Sequence, residues 1–534
     1  MEPEAAAREL IAAFDNPESP GGVIAVIRDG KIVFDLPFGM ASVEHSVPNA
    51  RHTVFYIAST SKQFVGASIA LLEYEGRLDL DDEMHQYVPE MHSFDPPLRI
   101  HHLLHHTSGL RDKYALAAVG GLGEDSYVTD AGSLELLKGQ RTLNFEPGSR
   151  MMYSNSNYFL LAQIVERVSG LGFEEFTRTR LFEPMEMTNS RFRSDSSVVI
   201  PHRASGYRKG ADGQWRVSEY TMNSLGPGGV VTTVDDLARW STVFFEKPLD
   251  PPDLAERITR TRPFNDGSPN DYALGLMVSE HLGRRSISHA GGVGGFAAEM
   301  IHYPDDGLTV ACLANTSSVP AANIARQVAA LWLGADAPAP AAGNKGQNGP
   351  QLPAAGVTAR EEFIGTYLSP DEDMFLRIER GEGEALVVAF GAVKAPLTAV
   401  AADRLAGPMG TELELTPEGV ALRSPNSDKP ALYRRVPPAP DSSAADLAGR
   451  YRSAELDAVL EISQHQEGLR IAWPRSQPMP LTPVGENLFV ATTSVMGMDM
   501  TAPLRVLRDA SGAPEAVQVS ASRALNNRFE RLQT

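Results

Sequence analysis

Ser59-Thr60-Ser61-Lys62 opens the stretch on which the reading of this chain turns. From Ser59 to Tyr74 apolar residues recur at helical spacing, at Phe64, Val65, Ile69 and Leu72, and Gly76 stands just past the end. The spacing predicts a helix over 59–74 with the serine at its N-terminus. Lys62 lies three residues on, so the two side chains share a helical face. A serine hydroxyl is a poor nucleophile without a base beside it. A helix N-terminus adds partial positive charge, and a desolvated lysine can lose its proton near neutral pH. Read alone, the same residues also describe a capped helix with a solvated lysine.

Two further motifs follow. Tyr153-Ser154-Asn155 stands before a second predicted helix, 158–168, apolar at Leu160, Leu161, Ile164, Val165 and Val168 and stopped by Gly170. Tyr153 is a candidate second proton carrier. Asn155 offers an amide that can orient Lys62 or bind a substrate carbonyl. The plain alternative is a core tyrosine beside a capping residue. His289-Ala290-Gly291 ends a predicted strand, with the imidazole at the edge of a cleft. Gly291 and Gly292 remove side chains where a substrate would approach the backbone, and the N–H groups of Ser59 and Gly292 are candidates for an oxyanion hole. Here the alternative is a loop, 291–295, that merely turns.

In this order the three motifs resemble the serine β-lactamase and penicillin-recognising family. Leu103-Leu104-His105-His106-Thr107-Ser108-Gly109-Leu110, Phe145-Glu146-Pro147-Gly148-Ser149 and Gly226-Pro227-Gly228-Gly229-Val230-Val231-Thr232-Thr233 are similar too, and the resemblance covers most of residues 15–333. It implies an α/β (α+β) domain, helices around an antiparallel sheet, and a covalent acyl-enzyme on Ser59. His-x-Gly in place of Lys-Thr-Gly is typical of esterase-like and D-amino-acid-releasing members. Gln63-Phe64, Ser108 to Asp112, and Gly449-Arg450-Tyr451 with Glu455-Leu456-Asp457-Ala458 look like the members that carry two eight-stranded barrels behind the catalytic domain. The resemblance then implies release of N-terminal D-amino acids from small peptides, amides or esters. Ser59 would attack, Lys62 and Tyr153 would move the proton, and His289 would orient the cleft wall. Asn155, Gly291 and Gly292 would hold the substrate. In such members a loop of the last barrel reaches the active site. By position it is 492–503, whose acid, Asp499, would meet a substrate ammonium. Met277 stands where those members carry asparagine, and Met496, Met498 and Met500 suit an adaptable apolar wall. Two other outcomes stay open: a promiscuous esterase or weak β-lactamase, and a penicillin-binding sensor that is acylated without turnover.

The rest of the chain sets the frame. Residues 334–358 are rich in Pro, Gly and Ala and read as a linker. Behind it, Phe363-Ile364-Gly365-Thr366-Tyr367 is repeated 84 residues later as Leu447-Ala448-Gly449-Arg450-Tyr451. The expected domains are therefore a catalytic domain, 1–333, and β-barrel domains at 359–438 and 439–534. Among 534 residues, 42% hydrophobic and 22% charged, Cys312 is the single cysteine, so no disulfide framework forms. A formal net charge of −19 opposes nucleic acid and anionic membranes as partners. No spanning segment is expected, and the N-terminus lacks the pattern of a secretory signal, so the expected location is cytoplasmic. His101, His102, His105 and His106 have helical spacing but no acidic ligand at the right offset. Neither a metal nor a cofactor is expected, and a homodimer is one possible assembly.

Overall fold

The computed structural model describes residues 2–122, 129–210, 212–218, 225–246, 248–334 and 361–533, the last with short gaps at 370–373, 382–384, 391–392, 408–410, 424–429, 438–444, 475 and 496–497. The expected linker lies almost wholly outside the described residues. Two compact units result: Met1–Leu110 with Tyr127–Pro340, and Arg111–Ser126 with Ala341–Thr534.

The first unit is built on a six-stranded antiparallel sheet. Its strands are β1 (Gly22–Arg28), β2 (Lys31–Phe38), β3 (Met277–His281), β4 (Arg284–Val293), β5 (Phe296–Tyr303) and β6 (Leu308–Ala314), in the spatial order β3-β4-β5-β6-β1-β2. The β1–β2 turn uses Asp29 at φ 48° and Gly30 at φ 73°, the pair of left-handed residues that a two-residue hairpin needs. Strand β1 is an inner strand between β6 and β2, pairing with β6 from Gly22↔Ala314 to Arg28↔Leu308, and is buried on both faces, which is why its sequence is continuously apolar. Helices α1 (Pro3–Ile11), α2 (Lys62–Tyr74), α3 (Asn155–Ser169) and α4 (Ala321–Trp332) complete the frame. Ala7 and Ile11 of α1 and Ile324 and Val328 of α4 share one core with Ile24, Val26, Ile301 and Val310 of the sheet. Glycine 170, at φ 76°, ends α3 in a left-handed cap.

The second unit holds two closed barrels of eight antiparallel strands each, one from Gly365–Leu368 to Ala431–Arg435 and one from Gly449–Ser453 to Ala524–Arg531. The repeat tyrosines do the same work in each: Tyr367 donates to the Phe363 carbonyl and Tyr451 to the Leu447 carbonyl, both at 2.8 Å. The stretch expected as a loop at 492–503 is instead mostly a hairpin of strands Leu488–Val495 and Met498–Arg508, in register from Leu488↔Arg505 to Val495↔Met498. Residues 111–122 also belong to this unit. Their helix, Lys113–Val119, is capped by the Asp112 carboxylate, which accepts from Tyr114 and Ala115 N–H. Val119 enters the core of the second barrel beside Trp473.

Candidate active site

Ala58, at φ 47°, turns the chain out of the short strand Phe55–Tyr56 and into a 3-10 turn, Ala58–Ser61, that leads into α2. A left-handed alanine costs about 1 kcal/mol or more and persists only where its surroundings fix it. Here they do. Ile57 N–H donates to the Val230 carbonyl at 3.0 Å, Val230 N–H donates to Ser61 Oγ at 3.1 Å, and Thr60 Oγ1 donates to the His289 carbonyl at 3.1 Å. The two residues between Ser59 and Lys62 thus staple the turn to two neighbouring segments. Gln63 continues the pattern, taking a 2.6 Å hydrogen bond from Trp240 Nε1 and donating to the Thr60 carbonyl at 2.9 Å. Neither Ser59 nor Thr60 caps the helix: the N-cap of α2 is Ser61, which makes no side-chain cap bond.

Lys62 is fully buried. Its Nζ lies 3.1 Å from Ser59 Oγ, 3.1 Å from Asn155 Oδ1 and 2.6 Å from the Pro227 carbonyl oxygen. A neutral amine has two N–H bonds and one lone pair. In that form Asn155 Oδ1 and the Pro227 carbonyl, acceptors only, would take the two N–H bonds and leave the lone pair towards the Ser59 hydroxyl. Gly226 makes the third contact feasible: at φ 105° it carries Pro227 over α3, and a Cβ there would stand 2.2 Å from the Tyr158 carbonyl. The ring of Tyr153 lies beside the same nitrogen, its centroid 4.8 Å from Nζ, with Tyr158 at 5.7 Å. These distances suit a cation over aromatic faces when Lys62 carries its proton.

His289 does not end its strand. Strand β4 runs on through Gly291 and Gly292 to Val293, paired as Gly292↔Ala297 with β5, and the turn is made by Gly294 and Gly295 at φ 52° and 80°. The imidazole is 6% exposed and held between two partners. Nδ1 lies 2.6 Å from the Ala290 carbonyl and Nε2 lies 2.9 Å from Tyr272 Oη. Burial and the nearby Lys62 charge push it down to about 3. It is therefore neutral at physiological pH, Nδ1–H donates to Ala290, and Nε2 accepts from the Tyr272 hydroxyl. Gly291 crosses the 3-10 turn so closely that a Cβ would meet the Ile57 carbonyl oxygen at 2.1 Å, whereas one on Gly292 would meet nothing nearer than 4.0 Å.

Ser59, Lys62, Tyr153, Asn155, His289, Gly291 and Gly292 all lie in the first unit and are described. Asp499 lies on a strand of the last barrel, opposite Ser494, and its side chain is outside the described residues. The histidine run serves as framework. His105 Nδ1 meets the Tyr272 carbonyl at 2.8 Å, and His106 Nδ1 accepts from Ser154 N–H at 3.2 Å and Asn157 Nδ2 at 3.0 Å. Burial holds His102 and His105 down to about 4. Sequence reasoning missed Pro227, Tyr272 and His106 as parts of the site. A backbone carbonyl leaves no trace in residue type. His106 stood in the sequence as one of four histidines and within the family-like stretch 103–110, and Tyr272 carried no motif.

The beta-lactamase family matches residues 7–332, and the family described as D-aminopeptidase, domain B, matches residues 356–530. A D-aminopeptidase of Gluconobacter oxydans (strain 621H) is 29% identical over 85% of this chain and 83% of its own length. One from Brucella anthropi is 25% identical over 97% and 96%. Among solved structures, an octameric penicillin-binding protein homologue from Pyrococcus abyssi covers 99% of this chain and 98% of its own at a TM-score of 0.56 and 20% identity, a likeness of fold.

Proposed function

Because the chain belongs to the beta-lactamase family, we propose that it is a serine hydrolase that releases N-terminal D-amino acids from small peptides, amides or esters. The observation that carries the hydrolase is the pair of acceptors, Asn155 Oδ1 and the Pro227 carbonyl, that aims Lys62 Nζ at Ser59 Oγ. The near end-to-end correspondence with a chain named D-aminopeptidase, 97% of this one and 96% of that one, supports the choice of substrate.

Ser59 Oγ attacks the substrate carbonyl carbon while its proton passes to Lys62 Nζ. The oxyanion takes hydrogen bonds from the N–H groups of Ser59 and Gly292. Tyr153 hands a proton to the leaving amine or alcohol and takes up the one that Lys62 received, so that Lys62 is again a neutral base; the bond to the carbonyl carbon breaks, and the acyl group remains as an ester on Ser59. Water, deprotonated by the same base, attacks that ester, and the amino acid leaves as Ser59 regains its proton. Asn155 holds Lys62 and the substrate amide, Gly291 keeps β4 against the turn that carries Ser59, and neutral His289 fixes the wall. Asp499 is the acid assigned to the substrate ammonium on the family resemblance alone.

The test is steady-state hydrolysis of D- and L-alanine p-nitroanilides beside a p-nitrophenyl ester. Ser59→Ala is expected to lower every rate by about 10⁴-fold or more with the fold intact. Unchanged turnover in that variant removes the assignment. Ester cleavage without D-anilide cleavage leaves a plain esterase, and stoichiometric labelling without turnover leaves an acylated sensor.

A further inference from the structure

Thr60 lies behind the two groups assigned to the oxyanion. Ser59 is partly exposed and Gly292 is exposed, whereas Thr60 is fully buried. Its Oγ1 donates to the His289 carbonyl at 3.1 Å, joining residues 229 positions apart in the chain. The same oxygen lies against Gly291, where a Cβ would stand 2.9 Å from it. Thr60 N–H donates to the Ile57 carbonyl at 3.1 Å and so closes the turn that contains Ser59. Backbone and side chain of this one residue thus join the turn to β4. The strand side is equally fixed. Strand β4 pairs with β5 as His289↔Met300, Gly291↔Ala298 and Gly292↔Ala297, so the backbone from His289 to Gly292 keeps a regular extended spacing.

We propose that Thr60 is a positioning residue that sets the spacing of the oxyanion donors: its hydroxyl, bound to the His289 carbonyl, locks the Ser59 N–H to the Gly292 N–H. An oxyanion hole works through donors held in advance where charge will develop, so its strength depends on their separation staying fixed. Here the two donors belong to a turn and a strand that only tertiary contacts bring together. A β-branched side chain suits the task, because the methyl on Cβ restricts χ1 and holds the hydroxyl in one direction. Ser61 makes a bond of the same kind to a different segment, accepting from Val230 N–H at 3.1 Å, and supplies the comparison.

The inference rests on the proposed acyl-enzyme reaction, and its test separates the two. On the full chain, kcat and KM are measured for a p-nitrophenyl ester and for the thionoester that carries sulfur in place of the carbonyl oxygen. Sulfur is larger and accepts hydrogen bonds weakly, so donors placed for oxygen disfavour the thionoester. The ratio of the two kcat/KM values therefore reads the oxyanion hole and not the general health of the site. Thr60→Val keeps the shape and removes the hydroxyl; it is expected to lower kcat for the ester roughly tenfold with KM within about twofold, and to reduce the ratio by a similar factor. Thr60→Ser, which keeps the hydroxyl, is expected to restore most of the ratio. Ser61→Ala is expected to slow both substrates alike and leave the ratio unchanged. An unchanged ratio in Thr60→Val, whatever its melting temperature, overturns the proposal, and so does an equal fall in Ser61→Ala. Should Thr60→Val fail to fold, Thr60→Ala decides in its place. A wild type that cleaves ester and thionoester equally overturns the oxyanion assignment, and one that cleaves neither overturns the reaction itself.

Discussion

Gly291 and Gly292 stand side by side in one motif and do different work. Gly291 lets β4 cross the turn that presents Ser59, and an alanine would drive its Cβ into the Ile57 carbonyl at 2.1 Å, backbone against backbone. Such overpacking costs about 1–3 kcal/mol. Gly291→Ala is expected to lower the melting temperature and to depress kcat for every substrate, because strand and turn must part. Gly292→Ala meets open space, so its melting temperature is expected to match the wild type while KM rises for bulky acyl groups. Calorimetry beside substrate kinetics checks both, and equal melting losses would contradict this division of labour.

The helix that carries Lys62 is set by what crosses it. Gly66, one turn on from Lys62, packs so closely on the Tyr272–Leu276 segment that a Cβ would stand 2.1 Å from the Leu274 carbonyl. Alanine is the better helix former by about 1 kcal/mol, but the clash of 1–3 kcal/mol opposes it with a rigid backbone atom. Gly66→Ala is therefore expected to be destabilising on balance and to lower kcat, since α2 cannot shift without moving Lys62 from Asn155 and Pro227. A stabilised variant in chemical denaturation would show that the segment yields instead. At this scale the sequence is also most readable. The helical period of 59–74 predicts α2, but its first turn is 3-10, because Ala58 turns the chain sharply and Ser61 and Thr60 are used as staples rather than caps.

For the whole molecule, buried ionisable groups set how stability follows pH. Glu299 on β5 is 1% exposed, and burial pushes it up to about 7 despite Arg326, whose Nη2 stands 3.5 Å away. The folded chain holds this proton between about pH 4.5 and 7 where the unfolded chain has lost it, so the contribution is lost as pH rises through that window. The ceiling is on the order of 3 kcal/mol. Glu299→Gln is expected to gain on the wild type from pH 5 to pH 8 and to match it at pH 4, as read by denaturant unfolding across pH. His289 and His302, both held down to about 3, act in the opposite sense: they stay neutral when folded, and their contribution fades as pH falls from about 6.5 towards 3.

What the sequence determined by itself follows from local periodicity and from residue types whose chemistry has few alternatives. The apolar spacing announced α2, α3 and the late strands, Asp29-Gly30 announced its turn, and the repeat around Tyr367 and Tyr451 announced two similar β-barrels. Ser59 and Lys62 were legible because three residues on a helical turn bring side chains together whatever surrounds them. The tertiary structure alone decided the rest, because those contacts join residues far apart in the chain. Pro227 reaches Lys62 through a carbonyl that every residue type possesses. His289 faces Tyr272 and is neutral because burial removes the water that would have charged it. Residues 111–122 fold with the barrels because Arg111 finds Glu455 more than three hundred residues later.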